Sequence, residues 1–529
     1  MTLSCSQCGS PYLPKPQTIP ATSETLERCQ RLVKLNEAPG SAELAFIRAL
    51  VSDTGTRLEY LDNEISRLRD RLDQLQGQRM QLWEYHSPYV PILSPLRRMP
   101  PEILVQIFLW TLPSFHERSG GVSDTQKSPW TPSRVSSRWR EISLSTPSLW
   151  TTVHIDFVHE EDPLHSDILQ TELQRSATLN LKAHFYGEEE ADSADQLKLF
   201  DLLSKHSARW EALTIQLSSA LVPRLAQLRG RLPSLRWLWL QWDSEQSQVG
   251  VDSITCFKSA PSLVDASVIT KSRFIPIYVP AHQLTSYHLH GPLKMHLHVL
   301  KLAPNIVDAR VVIPDLDDEE PWPEPSDQAI DLLHLRRLYV SDEQILGHLR
   351  APRLAQLGIW VSEEETLVQE LDAFFIRSAC APPELYLKGI GSVNITLDVL
   401  KKHPFIAALA LVFFHGGVDV MEAHLTVLAH APESEHLREI CFGAVSTAAD
   451  PMPIDYPLFL RMLKSRRRSS RCSLRAASFF AMKGPDPDPV TLAGLEELRD
   501  GGLDLRVESG LGAQLRINEW ENVSQWNMQ

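Results

Sequence analysis

The chain has no uninterrupted apolar run of about 20 residues, the length a helix needs to cross a bilayer. No membrane span is expected. Cysteine is sparse: seven in 529 residues, odd in number and scattered. That pattern suggests reduced thiols in an intracellular compartment, not a disulfide framework. Positive charge is outnumbered, 52 Lys and Arg against 66 Asp and Glu, for a formal charge of −14. A general nucleic-acid binder would carry a basic footprint, so no nucleic-acid partner is expected. Met1-Thr2-Leu3-Ser4-Cys5 lacks a charged leader and an apolar core. No secretory signal is read there, and cytoplasm or nucleus is the expected location. Catalytic signatures are missing as well. There is no Gly-x-Ser-x-Gly elbow, no Gly-x-x-x-x-Gly-Lys phosphate cradle and no His-Glu-x-x-His helix. Neither an enzyme nor a cofactor is expected.

What is present is a globular composition, 43% hydrophobic and 22% charged, with room for several domains. Residues 1–40 read as a disordered tail, because Pro11, Pro14, Pro16 and Pro20 favour an extended chain. Cys5-Ser6-Gln7-Cys8 has the spacing of half a zinc knuckle. Tetrahedral zinc needs four ligands, Cys29 is the only nearby third, and no histidine precedes His86. A site shared by two chains stays open.

Residues 41–86 carry a heptad helix, with Ser41 as the expected N-cap and Glu43 in the first turn. Leu44, Val51, Leu58, Ile65 and Leu72 take position a; Ile47, Leu61, Leu68, Leu75 and Leu82 take position d. Thr54 at d and Arg79 at a are the polar exceptions. This is a coiled-coil seam, strongest over Leu58, Leu61, Ile65, Leu68, Leu72 and Leu75. It allows a homodimer or a fold-back onto the rest of the chain. In a parallel pair Arg57 would face Asp62, and Glu64 would face Arg69. Ser87-Pro88 and Val90-Pro91 end the helix.

Residues 93–150 hold two helical signals. The first is Met99-Pro100-Pro101-Glu102-Ile103-Leu104-Val105-Gln106-Ile107-Phe108. Its apolar residues fall at i, i+1, i+4 and i+5, which places them on one helical face. Pro101 and Glu102 suit a first turn. The second is Val135-Ser136-Ser137-Arg138-Trp139-Arg140-Glu141-Ile142, closed by Leu149-Trp150. Val135, Trp139 and Ile142 again share a face at helical spacing.

In that order, these two halves resemble the F-box. Met99 replaces the usual Leu, Pro101 is a second proline, Ser136 stands where Cys is common, and the insert between Leu112 and Pro132 is long. The resemblance implies docking of the adaptor subunit of a cullin-type (SCF) ubiquitin ligase through Pro100, Ile103, Leu104, Ile107, Phe108, Val135, Trp139 and Trp150. A helical module of about 50 residues buries too little surface to be comfortable alone, which gives such a partner a physical reason.

From 151 to 529 the texture changes. Thr151–Phe157 alternates and reads as a strand. A unit then recurs, with apolar residues at spacings of three and two. It appears as Trp210-x-x-Leu213-x-Ile215, Leu235-x-x-Leu238-x-Leu240, Leu263-x-x-Ala266-x-Val268 and Leu284-x-x-Tyr287-x-Leu289. It continues as Ile306-x-x-Ala309-x-Val311, Leu335-x-x-Leu338-x-Val340 and Leu354-x-x-Leu357-x-Ile359. Weaker copies end in Leu385-x-Leu387, Leu409-x-Leu411, Ile440-x-Phe442 and Ala477-x-Phe479. Steps run from roughly 19 to 37 residues, around the leucine-rich-repeat period of roughly 20–29. The last two apolar positions point inward from a short strand, and stacked units share one core. Pro-Ser-Leu (233–235 and 261–263) and Ala-Pro-Arg-Leu (351–354) read as turns before strands. The pattern resembles the degenerate leucine-rich solenoid behind the F-box in many fungal proteins, without a regular asparagine ladder.

Other clusters carry less. Asp315–Pro323 is acidic and proline-rich, and reads as a solvated loop or a contact for a basic substrate. Lys464–Arg471 is the one dense basic cluster, read as a solvated repeat edge or an import signal. His288, His290, His296 and His298 form two His-x-His pairs, each read as sharing a strand face in a structural role. The expected fold is therefore α/β: a coiled-coil-type helix and a small all-α F-box, then an irregular leucine-rich-repeat-like solenoid. The resemblance implies a non-catalytic substrate receptor binding an unknown protein. The alternative is an F-box scaffold that does not deliver substrates for ubiquitination.

Overall fold

The computed structural model describes residues 23–35, 37–112, 128–157, 165–191, 193–314, 329–414, 417–445, 453–468 and 474–521. The chain divides into two units, 1–100 and 101–529. Cys5 and Cys8, the acidic segment from Asp315 to Pro323, and Ser469 to Arg471 lie outside the described residues.

The first unit holds α1 (Ser23–Leu35) and α2 (Ser41–His86). Helix α1 corrects the expected tail over part of its length. Beyond Pro20 the residues are mainly Glu, Leu, Arg, Gln and Lys, which favour helix. Arg28 of α1 pairs with Glu37 at 2.8 Å and with Glu43 of α2 at 3.2 Å. The cap of α2 is also corrected. Ser41 is already helical and Gly40 is the N-cap, its N–H donating to Glu43 Oε2 at 2.8 Å. That bond, with Arg28 second, holds the Glu43 carboxyl below its ordinary range. Helix α2 runs 46 residues, or about 69 Å at 1.5 Å per residue. Two short 3-10 turns follow, Val90–Leu93 and Pro95–Arg97.

The second unit opens with α3 (Pro101–Trp110), α4 (Pro132–Val135), α5 (Ser137–Leu144) and a 3-10 turn, Pro147–Trp150. Val135 and Trp139 do not share a helix, contrary to the spacing argument. Ser136 is extended (φ −158°, ψ 166°) and starts a new helix by accepting from the Trp139 N–H at 3.2 Å. Thus the serine standing where cysteine is common is an N-cap.

Strands β1 (Thr152–Asp156), β2 (Leu181–Tyr186), β3 (Trp210–Leu217), β4 (Trp237–Trp242) and β5 (Asp265–Ile269) come next. Then follow β6 (Ser286–His290), β7 (Asp308–Val312), β8 (Ile330–Asp331), β9 (Arg337–Val340), β10 (Leu349–Arg350) and β11 (Gln356–Trp360). The last are β12 (Glu384–Lys388), β13 (Ala408–Phe414), β14 (Glu439–Val445), β15 (Ala476–Ala481) and β16 (Asp504–Ser509). Among the described residues these build a 14-stranded sheet in chain order, with β8 and β10 paired separately. Neighbouring strands of the large sheet are parallel, so each needs a crossover back to the same end.

Helices or turns supply the crossovers. They include α6 (His165–Arg175), α7 (Ser193–Ser204), α8 (Val222–Leu225), α9 (Leu293–Leu302), α10 (Glu364–Ser378) and α11 (Val393–Lys402). They continue with α12 (Val418–Leu428), α13 (Tyr456–Arg468) and α14 (Pro489–Asp500), and α15 (Leu511–Glu521) ends the described chain. The result is a mixed α/β architecture consistent with a solenoid-like class.

Every repeat unit read from the sequence is a strand here, and its paired apolar residues lie in lanes. Leu213, Leu238 and Ala266 are in register across β3, β4 and β5, as are Leu385, Leu409, Ile440 and Ala477 across β12 to β15. They belong to one continuous core reaching from Val153 to Leu505. Where a regular asparagine ladder is absent, turn side chains tie one repeat to the previous one. Ser234 Oγ donates to Ala208 O (2.9 Å), Ser262 Oγ to Pro233 O (2.8 Å) and Asn305 Nδ2 to His282 O (3.0 Å).

A second, smaller cluster lies among side chains of the opposite parity. Tyr339, Tyr386, Ala410, Val412, Val445 and Phe480 pack with Ala513 and Ile517 of α15. Helix α15 therefore covers the outer face of the last strands. Gly443 leaves room for it, since a Cβ there would sit 3.3 Å from Ile517 Cγ1.

Candidate functional site

Helix α3 presents two faces, not one. Ile103 and Ile107 are 49% and 36% exposed, while Leu104 and Phe108 are 0% and 1% exposed. Adjacent residues on a helix are about 100° apart, so the two apolar pairs point in different directions. The inner pair packs on the following helices, with the Phe108 and Trp139 rings 4.9 Å apart. Ile142, Leu149 and Trp150 are buried with them. The outer pair remains in solvent, as do Trp110 and Val135, and Val135 is 57% exposed. Of the expected adaptor-facing set, Pro100, Ile103, Ile107 and Val135 are thus exposed, Trp139 is half-buried, and Leu104, Phe108 and Trp150 are core.

The inner side is fastened to helix α6. Trp150 Nε1 donates to Ser143 O at 2.8 Å, and Trp130 Nε1 donates to Glu172 Oε1 at 2.8 Å. The Arg175 guanidinium lies 4.6 Å from the Trp130 ring centre and 4.4 Å from that of Trp150. Burial pulls the Arg175 pKa down, and Glu172 opposes this. Two indoles, a cation and a carboxylate from α6 join the helical segment to the first repeat. Sequence spacing gave no sign of this joint, because Trp130 and Arg175 are far apart in the chain.

A second open surface is the sheet face opposite the main core. Tyr186, Gln216, Trp237, Trp239, Gln241 and His290 occupy it half-exposed. The signal was available in Trp237-Leu238-Trp239-Leu240, where tryptophans alternate with core leucines. The same pleat that turns Leu238 and Leu240 into the core turns Trp237 and Trp239 to the other face.

The six seam residues of α2 lie on the surface of their unit, from 40% exposed at Leu61 to 61% at Leu58. No residue of α2 is buried among the described residues.

The histidine pairs separate. His288 and His290 are on β6, but His296 and His298 are on α9, where residues two apart face different ways. The expectation of two strand-borne pairs is corrected. His296 Nδ1 meets the Tyr287 hydroxyl at 2.9 Å and its Nε2 meets Val312 O at 3.2 Å. His288 Nδ1 meets Ser267 Oγ at 2.9 Å. Burial pushes His290 and His296 down to about 4. Among the described residues no three His, Cys, Asp or Glu side chains are placed to share a metal ion. No helix there is long and apolar enough to cross a membrane.

The basic cluster is largely committed to the fold. Arg466 is buried and donates to Leu428 O (2.9 Å), Ser434 Oγ (2.6 Å) and Ser434 O (2.6 Å). Lys464 pairs with Glu497 at 3.2 Å, and Arg467 donates to Gly501 O at 2.5 Å.

No protein-family model and no curated protein matches the chain. Among solved structures, a structural-genomics protein from Bacteroides fragilis is 10% identical, with a TM-score of 0.27. That match covers 64% of this chain and 76% of the other.

Proposed function

We propose that this chain is a non-catalytic substrate receptor of a cullin-type ubiquitin ligase. An F-box over residues 93–150 docks the adaptor subunit, and a leucine-rich-repeat-like solenoid over 151–529 holds a protein substrate on its open strand face. The observation that carries the reading is the apolar outer face of α3, where Ile103 and Ile107 stay in solvent; Trp110 and Val135 are exposed as well. Each such side chain gains roughly 1.5–3 kcal/mol when a partner covers it. A core that already uses Leu104 and Phe108 leaves the outer pair free for that partner. The two-indole joint to the first repeat supports the same reading, because a receptor must hold substrate at a fixed distance from the docked ligase. Ubiquitin transfer is then a proximity effect: tethering raises the local concentration of substrate lysines near the loaded conjugating enzyme.

The test is a pull-down with the full chain and its Ile107→Asp variant, probed for adaptor and cullin. Loss of both with the variant, and a longer target half-life on deletion of 93–150, is expected. Undiminished adaptor binding by Ile107→Asp would sink the docking claim. Adaptor captured without cullin would favour the scaffold that delivers no substrate.

A further inference from the structure

We propose that α2 pairs with α2 of a second copy of this chain, in antiparallel orientation. This inference is independent of the ligase reading. Its first support is the open seam: from Val51 to Leu82 the a and d side chains lie in solvent, with Leu82 69% exposed. A repeat of seven residues suits a supercoiled helical partner better than a globular surface.

Rim charges admit either orientation. A parallel pair sets Arg57 against Asp62 and Glu64 against Arg69. An antiparallel pair centred between Ile65 and Leu68 sets Glu64 against Arg71 and Asp62 against Arg69 instead. The polar members of the seam decide. Parallel pairing stacks Arg79 on the second copy's Arg79, two like charges in one layer. Antiparallel pairing sets Arg79 against Thr54, so both polar seam positions fall in the same layers and the arginine stem can lie along the helix with its head in water. The Thr54 hydroxyl already donates to Leu50 O of its own helix at 2.7 Å, so it loses no hydrogen bond there. Every remaining layer is apolar: Val51 meets Leu82, Leu58 meets Leu75, Leu61 meets Leu72, and Ile65 meets Leu68.

Two further features agree. Trp83 at an e position, 61% exposed, meets Arg48 of the second copy, a cation beside an indole. Parallel pairing would give it Gln78. At the other end Leu44 and Ile47 are already half-buried in their own unit, near the Arg28–Glu43 contact with α1. The antiparallel register needs only Val51 to Leu82, and it places the two α1 helices at opposite ends.

The experiment uses the full chain. Light scattering is expected to give twice the chain mass of 59.8 kDa. A mixture of Leu58→Cys and Leu75→Cys chains should form covalent dimers on oxidation. Each variant alone should cross-link no more than the parent chain. Leu68→Asp should raise the dimer dissociation constant by at least about 100-fold, because it buries a charge in the central layer. A monomer at tens of micromolar would mean the chain covers its own seam and would overturn the proposal. So would assemblies larger than two, unchanged association of Leu68→Asp, or cross-linking of Leu58→Cys alone as strong as that of the mixture, which marks a parallel pair.

Discussion

Two buried histidines, His288 and His296, and half-buried His290 make stability depend on pH. His288, His290 and His296 are held below their ordinary range first by burial, with His290 and His296 at about 4 against 6.5 when free. The unfolded chain therefore binds protons between pH 6.5 and 4 that the folded chain does not, so stability must fall as pH falls through that window. One group moved from 6.5 to about 4 corresponds to at most about 3 kcal/mol, and relaxation leaves about 1–2 kcal/mol. Asp342 opposes this, because burial raises it from 3.8 to about 6 and its folded form gains protons as pH falls through the same range. Urea midpoints measured from pH 7 to pH 4.5 should decline. The decline should be shallower in His296→Gln, which keeps hydrogen-bonding capacity toward Tyr287 and Val312 but does not titrate. An unchanged slope would mean that His296 takes up its proton equally in the folded and unfolded chain and would overturn the assignment. A second residue-scale contrast concerns the basic cluster. Arg466→Met leaves buried oxygens of Leu428 and Ser434 without their donor and should cost about 2–4 kcal/mol. Arg468→Ala, exposed at the same helix end, should stay within about 0.5 kcal/mol by thermal unfolding.

At the scale of the element, α3 separates a buried apolar pair from an exposed one within adjacent residues, and the proposed docking uses the exposed pair. Leu104→Ala should cost about 2–5 kcal/mol, because it opens a cavity under a fully buried side chain. Ile103→Ala should change stability by no more than about 0.5 kcal/mol and weaken adaptor capture. Equal loss of stability in both would show that α3 has no spare face. This division also marks how far the sequence could be read. The apolar spacing in α3 locates the helix but does not separate its two faces, because i and i+1 positions are about 100° apart. In the large sheet, spacings of three and two mark every strand from β3 to β15, since they report inward-pointing residues directly. They do not mark β2 or β16 of that sheet, nor the short pair β8 and β10. Leu181-x-Ala183-x-Phe185 alternates like a strand, but no apolar residue stands three before Ala183. Helix α15 is illegible for another reason: Val412 and Phe480, which share an apolar cluster with its Ile517, come from β13 and β15, and only the stacked sheet gathers them.

For the whole molecule, a sheet whose strands pair in chain order makes stability local. Each repeat touches mainly its neighbours, so the ends are weak unless something covers them. At the N-terminal end the cover is the helical segment around Trp150, clamped by Arg175. At the C-terminal end it is α15, which packs with Val412, Val445 and Phe480 on the face opposite the main core. The two covers differ in consequence. The first meets the stack through Trp130, Trp150 and Arg175, outside the main core, whereas α15 occupies part of the opposite strand face, away from half-exposed Tyr186, Trp237 and Trp239. Ending the chain after Gly510 should therefore have two separable effects. Amide exchange in β14 to β16 should speed up while β1 to β5 keep their protection, because nearest-neighbour stacking does not carry the loss that far. The uncovered apolar side chains should also raise binding of a hydrophobic dye. Gly443→Val tests the same contact without truncation, since a Cβ there sits 2.7 Å from Val412 Cγ2 and 3.3 Å from Ile517. It should loosen α15 and reproduce the exchange pattern in milder form. Uniform loss of protection across all strands would instead mean that the stack unfolds as one cooperative body and that α15 is only its last turn.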